Sequence, residues 1–364
     1  MRVQDEVVGL KSSEQTATRP APTGLDAGDT LNDAVRDLIT AYHDLNPTTI
    51  DTLKEEPSPL EFMRYVARNR PFVIKNGAKD WKARKRWNAS YLKSAMEGQT
   101  VNVSLTPHGN ADSVVDLPSG GSLFVKPYER DEHFGSVLEK IQTQELSKED
   151  TSARPTRYAQ TQNDNLRAEY TSLFSDVPPS IPFARVALEK SPDAVNFWLG
   201  SSASVTALHK DNYENIYVQI LGQKNFVLLP PVDAPCVNEM EVLEGTYTPK
   251  QSGEDAAEPV VGDLVIQVDE PAAYVPFATW DPDTPLLNTT PYSQYAQPMR
   301  VTLDEGDMLY LPALWYHKVS QSCDEEGLCC AVNYWYDLDF SGSFWSTAGF
   351  VRTAGLLSMQ QKDG

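Results

Sequence analysis

The stretch 209-HKDNYENIYVQILGQKNFVLLPP-231 decides how the second half of this chain is read. Two apolar runs separated by Gly222 and ended by a proline pair read as the two strands of a β-hairpin. At its head His209 and Asp211 stand two positions apart. Side chains alternate between faces along a strand, so these two point the same way while Lys210 points the other. An imidazole and a carboxylate on one strand face are two members of a metal site, and the rest of the chain must supply a third.

Neighbouring strands lie about 4.8 Å apart, close enough for that third ligand to come from the next strand. His317, in 308-MLYLPALWYHKVSQ-321, is the candidate in a chain with only five histidines. Two histidines and one carboxylate occupy one face of an octahedron and leave three positions open, the ligand set of non-haem Fe(II) oxygenases. An H-x-D pair alone is weak, and its company matters. In the return strand, Lys224 stands in line with Phe226, Val227, Leu228 and Leu229. A lysine inside an apolar barrel is costly unless it meets an anion, such as a co-substrate carboxylate. The alternative is a lysine at the hairpin end that extends its ammonium to water.

Working outward, short β-rich runs continue from about residue 194: "VNFWLG", "SVTALH", "DLVIQV", "RVTLDEGDMLYLP", "HKVSQS" and "CCAVNYWYD". Many short strands punctuated by proline and glycine predict an antiparallel barrel or sandwich. Ahead of them the pattern is mixed. In residues 30–45 Leu31, Ala34, Val35, Leu38, Tyr42 and Leu45 recur at helical spacing and predict one apolar face. Ser58-Pro59-Leu60-Glu61 is a capping box with proline at the first helical position, opening a helix to about Arg68. "PFVIKNG" and "TVNVSLTPHG" read as strands, "HFGSVLEKIQTQ" as a helix, and "SFWSTAGFVRTAGLLSM" as a closing helix.

Composition narrows the functional classes. The chain has 364 residues and a net charge of −20, which argues against a surface that binds nucleic-acid phosphates. Residues 232–300 hold twelve acidic side chains against Lys250 and Arg300, half of the whole excess. This is either a solvated acidic surface or an attractor for a basic partner. The four cysteines, Cys236, Cys323, Cys329 and Cys330, show no C-x-x-C spacing, which suggests neither a disulfide framework nor a thiolate zinc cluster. Without an apolar span or a signal-like N-terminus, an intracellular protein of the cytoplasm or nucleus, with no membrane partner, is expected.

"TALHKDNYENIYVQILGQKNFVLLPP", "GDMLYLPALWYHKV", "AVNYWYD" and "DAVNFWLG" resemble the Jumonji-C (JmjC) family of Fe(II)- and 2-oxoglutarate-dependent oxygenases, from about Pro57 to the closing helix, and within it the small lysyl-hydroxylase branch. The resemblance implies a mainly β, cupin-like double-stranded β-helix with flanking helices. With residues 1–28, rich in Thr, Ala, Pro and charge, read as a mobile tail, the chain divides further into a helical and mixed α/β region at 29–190 packing on the barrel, the barrel core at 191–340 with the acidic insertion 232–300, and a C-terminal helix at 341–364. The resemblance implies that His209, Asp211 and His317 hold Fe(II), for which Mn(II) can substitute. It further implies that Lys224, Tyr158 and Thr206 bind the distal carboxylate of 2-oxoglutarate, that Asn215 and Asn333 hydrogen-bond its chelating end, and that Trp335 lines the pocket.

Dioxygen would be the oxidant and succinate and carbon dioxide the co-products, with no general base required; Glu214 and Asp337 are read as solvated or structural. The expected reaction is (3S)-hydroxylation of a lysyl residue in a basic protein, a developmentally regulated GTP-binding protein in the branch resembled. Two other activities compete: a metal-dependent peptidase on methylated histone tails and a histone lysine demethylase. Helices outside the barrel suggest a homodimer.

Overall fold

The structure, a computed structural model, describes residues 30–118, 120–147, 153–250 and 259–360. The tail expected at residues 1–28 lies outside them. The first half supplies strands β1 (Asp51–Leu53), β2 (Phe72–Ile74), β3 (Thr100–Thr106), β4 (Ser113–Asp116), β5 (Ser122–Lys126), β6 (Tyr128–His133) and β7 (Thr156–Ala159). The second half supplies β8 (Ala194–Gly200), β9 (Thr206–His209), β10 (Tyr213–Leu221), β11 (Gln223–Leu229), β12 (Glu239–Pro249), β13 (Leu264–Val268), β14 (Tyr274–Ala278), β15 (Met299–Leu303), β16 (Met308–Leu311), β17 (Tyr316–Ser322) and β18 (Cys329–Asp337).

These strands form a nine-stranded sheet in the order β1-β2-β16-β10-β18-β8-β7-β3-β6, a four-stranded sheet β15-β11-β17-β9, and a smaller mixed sheet in which β12 pairs with β13, β14 and β5. The first two face each other. Alternation along the strands explains why both faces of the large sheet are buried. Phe197, Val218 and Val332 point to a layer of helices and join Phe62, Trp87 and Leu138 in the outer core. Each such side chain, fully removed from water, stabilises the fold by about 1.5–3 kcal/mol. Trp198, Tyr217 and Ala331 point the other way and meet Phe226, Leu228 and Met299 of the four-stranded sheet. The fold is the mainly β, cupin-like double-stranded β-helix that the sequence implies.

The hairpin reading of residues 209–231 is corrected. β10 pairs with β16 and β18, whereas β11 pairs with β15 and β17, so the two strands lie in opposite sheets. The corner between them is Gly222, at φ +68°, where a Cβ would stand 2.4 Å from the Ser322 carbonyl oxygen. Only glycine fits both the left-handed backbone and that contact. "RVTLDEGDMLYLP" likewise divides, with β15 in one sheet and β16 in the other.

Thr30 and Asp33 form a capping box that opens the helix Leu31–Leu45, and Ser58 and Glu61 do the same for Pro59–Arg68. The apolar face expected on the first helix is also corrected. Its buried residues are Val35, Ile39 and His43, a stripe of four-residue steps, while Ala34, Leu38 and Leu45 are exposed. His43 belongs to the buried stripe because Asp233 meets its Nε2 at 2.9 Å. The closing helix is Phe344–Gln360, and it packs beside Leu31–Leu45. Among the described residues no helix is long and apolar enough to cross a membrane.

Candidate metal and co-substrate site

His209 is the last residue of β9, and antiparallel pairing sets His317 of β17 directly opposite it. The third ligand thus comes from the neighbouring strand. Asp211 lies in the turn between β9 and β10, beyond the strand that the sequence pattern suggested. Its backbone carbonyl accepts a hydrogen bond of 2.8 Å from Leu314 N, which ties this turn to the loop entering β17. Asp211 Oδ2 stands 3.9 Å from His209 Nε2 and 3.7 Å from His317 Nε2. The donor atoms of all three lie within 4.8 Å of one another. Donors about 2.1 Å from a shared ion are separated by at most about 4.2 Å, so the carboxylate fits with either imidazole.

The hydrogen bonds around the rings fit the same role. His209 Nδ1 lies 2.8 Å from the Ala207 carbonyl oxygen and His317 Nδ1 lies 3.0 Å from that of Trp315. A carbonyl only accepts, so each Nδ1 carries the proton and each Nε2 presents its lone pair inward. Burial, reinforced by the neighbouring His209, pushes the His317 pKa down to about 4, against the opposing pull of Asp211. The neutral, ligating form is therefore favoured at neutral pH.

The other end of the cavity holds a buried cation. Lys224 shares the inward parity of Phe226 and Leu228 and is 2% exposed, so it does not extend to water. Its ammonium donates to the Tyr158 hydroxyl at 2.8 Å and lies 5.1 Å from the centre of that ring. Among the described residues it meets no carboxylate. A desolvated cation of this kind fits an anionic ligand.

Between the two ends the cavity, of about 610 Å³, is lined by Thr206, Asn215, Asn333 and Trp335. Asn333 Nδ2 donates to Asn215 Oδ1 at 3.2 Å, and the Trp198 indole donates to Asn333 Oδ1 at 2.9 Å, so both amides are held in place. Trp335 stacks on Tyr213 at 4.8 Å and 3°. The structure thus brings together every residue singled out for the metal and co-substrate. Glu214 is structural: buried, it accepts from Tyr310 Oη at 2.6 Å and from Ala313 N at 3.2 Å. Asp337 is exposed at the end of β18.

Several lining residues escaped the sequence reading. Tyr217 and Trp198 were recoverable, since each lies two residues from an asparagine on the same strand, Asn215 or Asn196, and therefore shares its face. Asp112, Phe124 and Phe277 come from distant segments and carried no local signal. The acidic tract 232–300 is more than a solvated loop. Glu239 is buried and pairs with Lys210 at 2.7 Å and with Arg352. Burial raises its pKa, but these cations outweigh the effect and hold it low. Asp281 and Asp283 each pair with Lys318 at 2.7 Å.

A double-stranded β-helix with two histidines and an aspartate at one end of its cavity and a buried ammonium at the other defines an oxygenase of the cupin-like class. Residues 57–342 match the model of the cupin-like domain family, and the chain belongs to that family, in its JmjC branch of iron- and 2-oxoglutarate-dependent oxygenases. It is 38% identical over 296 residues to the human bifunctional peptidase and (3S)-lysyl hydroxylase JMJD7, covering 81% of this chain and 86% of that protein. JmjC domain-containing protein E of Dictyostelium discoideum is 35% identical over 300 residues, 79% of this chain and 83% of the relative. Lysine-specific demethylase JMJ32 of Arabidopsis thaliana is 33% identical over 302 residues, 80% and 83% of the two chains.

Proposed function

We propose that this protein is an Fe(II)- and 2-oxoglutarate-dependent protein hydroxylase that adds oxygen to C3 of a lysyl side chain in a basic protein substrate, such as a developmentally regulated GTP-binding protein. The observation that carries the oxygenase chemistry is the pairing of one metal triad, His209, Asp211 and His317, with one anion-seeking lysine, Lys224, inside the same cavity. The likeness to the human (3S)-lysyl hydroxylase supports the finer assignment.

In this reading Nε2 of each histidine and a carboxylate oxygen of Asp211 hold the metal. The chemistry an iron ion supplies there is activation of dioxygen: one oxygen atom ends in succinate as carbon dioxide leaves 2-oxoglutarate, and the other ends in the substrate C–H bond. Lys224 neutralises the distal carboxylate of 2-oxoglutarate, with the hydroxyls of Tyr158 and Thr206 as donors that add no net charge. Asn215 and Asn333 orient its chelating end. No side chain needs to take up a proton in the oxidation, so no general base is assigned.

The test is mass spectrometry of lysine-bearing peptides from such a GTPase after incubation with the protein, Fe(II), 2-oxoglutarate and air. A gain of one oxygen on lysine, dependent on 2-oxoglutarate, is the expected result. Formaldehyde release from methyl-lysine peptides would instead identify a demethylase, the activity in the name of the Arabidopsis relative. Peptide cleavage without 2-oxoglutarate would identify a peptidase.

A further inference from the structure

The cavity described above has a side that the metal and co-substrate leave unused. Asp112 lines it, half-buried, in the loop between β3 and β4. Its carboxylate accepts from Gln160 Nε2 at 3.2 Å, and among the described residues no cation lies within ion-pairing distance of it. Glu129, exposed at the cavity mouth, likewise has no cationic partner among those residues. The nearby lysines are already engaged, Lys126 with Asp269 at 2.6 Å and Glu244 at 3.3 Å and Lys210 with Glu239, and the other titratable group that favours the Asp112 carboxylate is the His209 imidazole, committed to the metal triad. The cavity therefore carries an unanswered cation at its deep end and unanswered carboxylates on another wall.

The loop bearing Asp112 is built into the fold. Val205 N donates to the Gly109 carbonyl oxygen at 2.9 Å, and a Cβ at Gly109 would stand 1.8 Å from the Ala203 carbonyl oxygen, so this turn lies flush against the connection into β9. The same cavity is lined by Phe124 and Phe277, a tilted pair 4.9 Å apart, an apolar surface suited to a methylene chain. Independently, the indole N–H of Trp335, a residue 7% exposed that lines this cavity, has no acceptor. Buried donors of this kind are normally satisfied. A ligand that offered an ammonium on an aliphatic stem would answer both the carboxylate and the aromatic pair, and a lysyl side chain has both.

We infer that Asp112 is the specificity residue of this site, pairing with the ammonium of the substrate lysine while Phe124 and Phe277 flank its methylenes. This rests on reading the cavity as a lysyl-hydroxylase site and names the side chain that selects the substrate. Asp112 acts by holding the side chain rather than by taking part in the oxidation.

The experiment uses the full chain loaded with Mn(II) and the redox-inert mimic N-oxalylglycine. Binding is measured for a peptide library with lysine fixed at the centre and for its norleucine-centred and acetyl-lysine-centred twins. The wild-type protein should prefer the lysine library by about tenfold or more, the worth of one charge-assisted hydrogen bond. Asp112→Asn, which keeps an oxygen for Gln160, should bring that preference close to one, and Asp112→Glu should restore part of it. The norleucine and acetyl-lysine comparisons need no variant, so they stand even if a substituted protein fails to fold. Equal binding of all three libraries by the wild type, or an unchanged preference in Asp112→Asn, overturns the assignment. A preference that depends on Asp112, with no oxygen gained by lysine when Fe(II) and 2-oxoglutarate replace the inert pair, sustains the subsite and overturns the hydroxylase reading alone.

Discussion

The ammonium of Lys224 donates to the phenol oxygen of Tyr158 at 2.8 Å and meets no carboxylate among the described residues. Desolvating a cation without an anionic partner costs several kcal/mol, and even complete buried ion pairs are often replaced by apolar groups at no cost or with a gain of about 1–4 kcal/mol. Lys224→Met should therefore leave the ligand-free protein as stable as the wild type or more so. The same change removes the cation expected to meet the distal carboxylate, so affinity for N-oxalylglycine should fall by about tenfold to a hundredfold. Thermal denaturation with Mn(II), with and without the mimic, reads both effects. An undiminished shift in the variant would remove Lys224 from the co-substrate site.

The metal triad depends on a residue that touches none of its members. Glu214 takes hydrogen bonds from Tyr310 Oη and Ala313 N, and the next residue of that loop, Leu314, donates to the Asp211 carbonyl. Leu314 itself holds a left-handed φ of +67°. This loop joins the turn carrying Asp211 to the strand carrying His317, so Glu214→Ala should loosen their mutual placement. Leaving a buried hydroxyl and a backbone N–H without an acceptor should destabilise the fold by about 1–3 kcal/mol for each. Mn(II) affinity, followed by electron paramagnetic resonance, should fall as well. Equal Mn(II) affinity in Glu214→Ala and wild type would show that the triad is positioned without this anchor.

Much of this was legible because the decisive patterns are local. An inward lysine among apolar neighbours and an asparagine within a buried strand report their surroundings through alternation alone, and the H-x-D pair was legible from its ligand types although Asp211 stands past the end of β9. The division of β10 and β11 between two sheets was not legible, since alternating apolar residues look the same whether a strand pairs with its successor or crosses to the opposite sheet. The strand pairings distinguish the two cases, with Gly222 at the corner set tight against the Ser322 carbonyl. Asp112 is 99 residues from Asp211 along the chain, and only the packing of the Gly109 turn on the connection into β9 brings it to the cavity. The true inner stripe of Leu31–Leu45 was obscured because a polar residue, His43, completes it.

Acid should weaken the metal-free protein through His317. Its folded-state pKa of about 4 lies below the ordinary value of 6.5, so the unfolded chain takes up this proton first as the pH falls. The stability associated with the neutral ring is complete above about pH 6.5 and is lost between that pH and about 4; the full effect is on the order of 3 kcal/mol. His317→Asn, which cannot titrate, should show a shallower decline over this window in urea denaturation of the chelator-treated protein. Parallel declines for variant and wild type would show that His317 is not the proton-linked group. Saturating Mn(II) should raise stability most at the upper end of this window and leave the decline at least as steep, because metal and proton compete for the same ring nitrogens.

The pair His43 and Asp233 ties the helix Leu31–Leu45 to the turn Pro231–Cys236 that follows β11. Both side chains are buried, and besides His43 the Asp233 carboxylate faces, among the described residues, only the backbone N–H of Gln297. Burial raises the Asp233 pKa, and His43 is the group that chiefly opposes that rise. His43→Ala would strip away that partner and should destabilise the protein by about 3–5 kcal/mol, the range for breaking a buried pair from one side. His43→Leu with Asp233→Leu removes both polar groups together and should recover most of that loss. Urea denaturation of the single and double variants measures the difference. Amide exchange across residues 31–45 should rise most in His43→Ala, because the helix is then held by its apolar contacts with Cys236, Tyr292 and Ala354 and by the hydrogen bond that Tyr292 Oη donates to Asn32 Oδ1. If the double variant were no more stable than His43→Ala, the loss would come from the cavity left by the imidazole, and the unpaired charge would not be its cause.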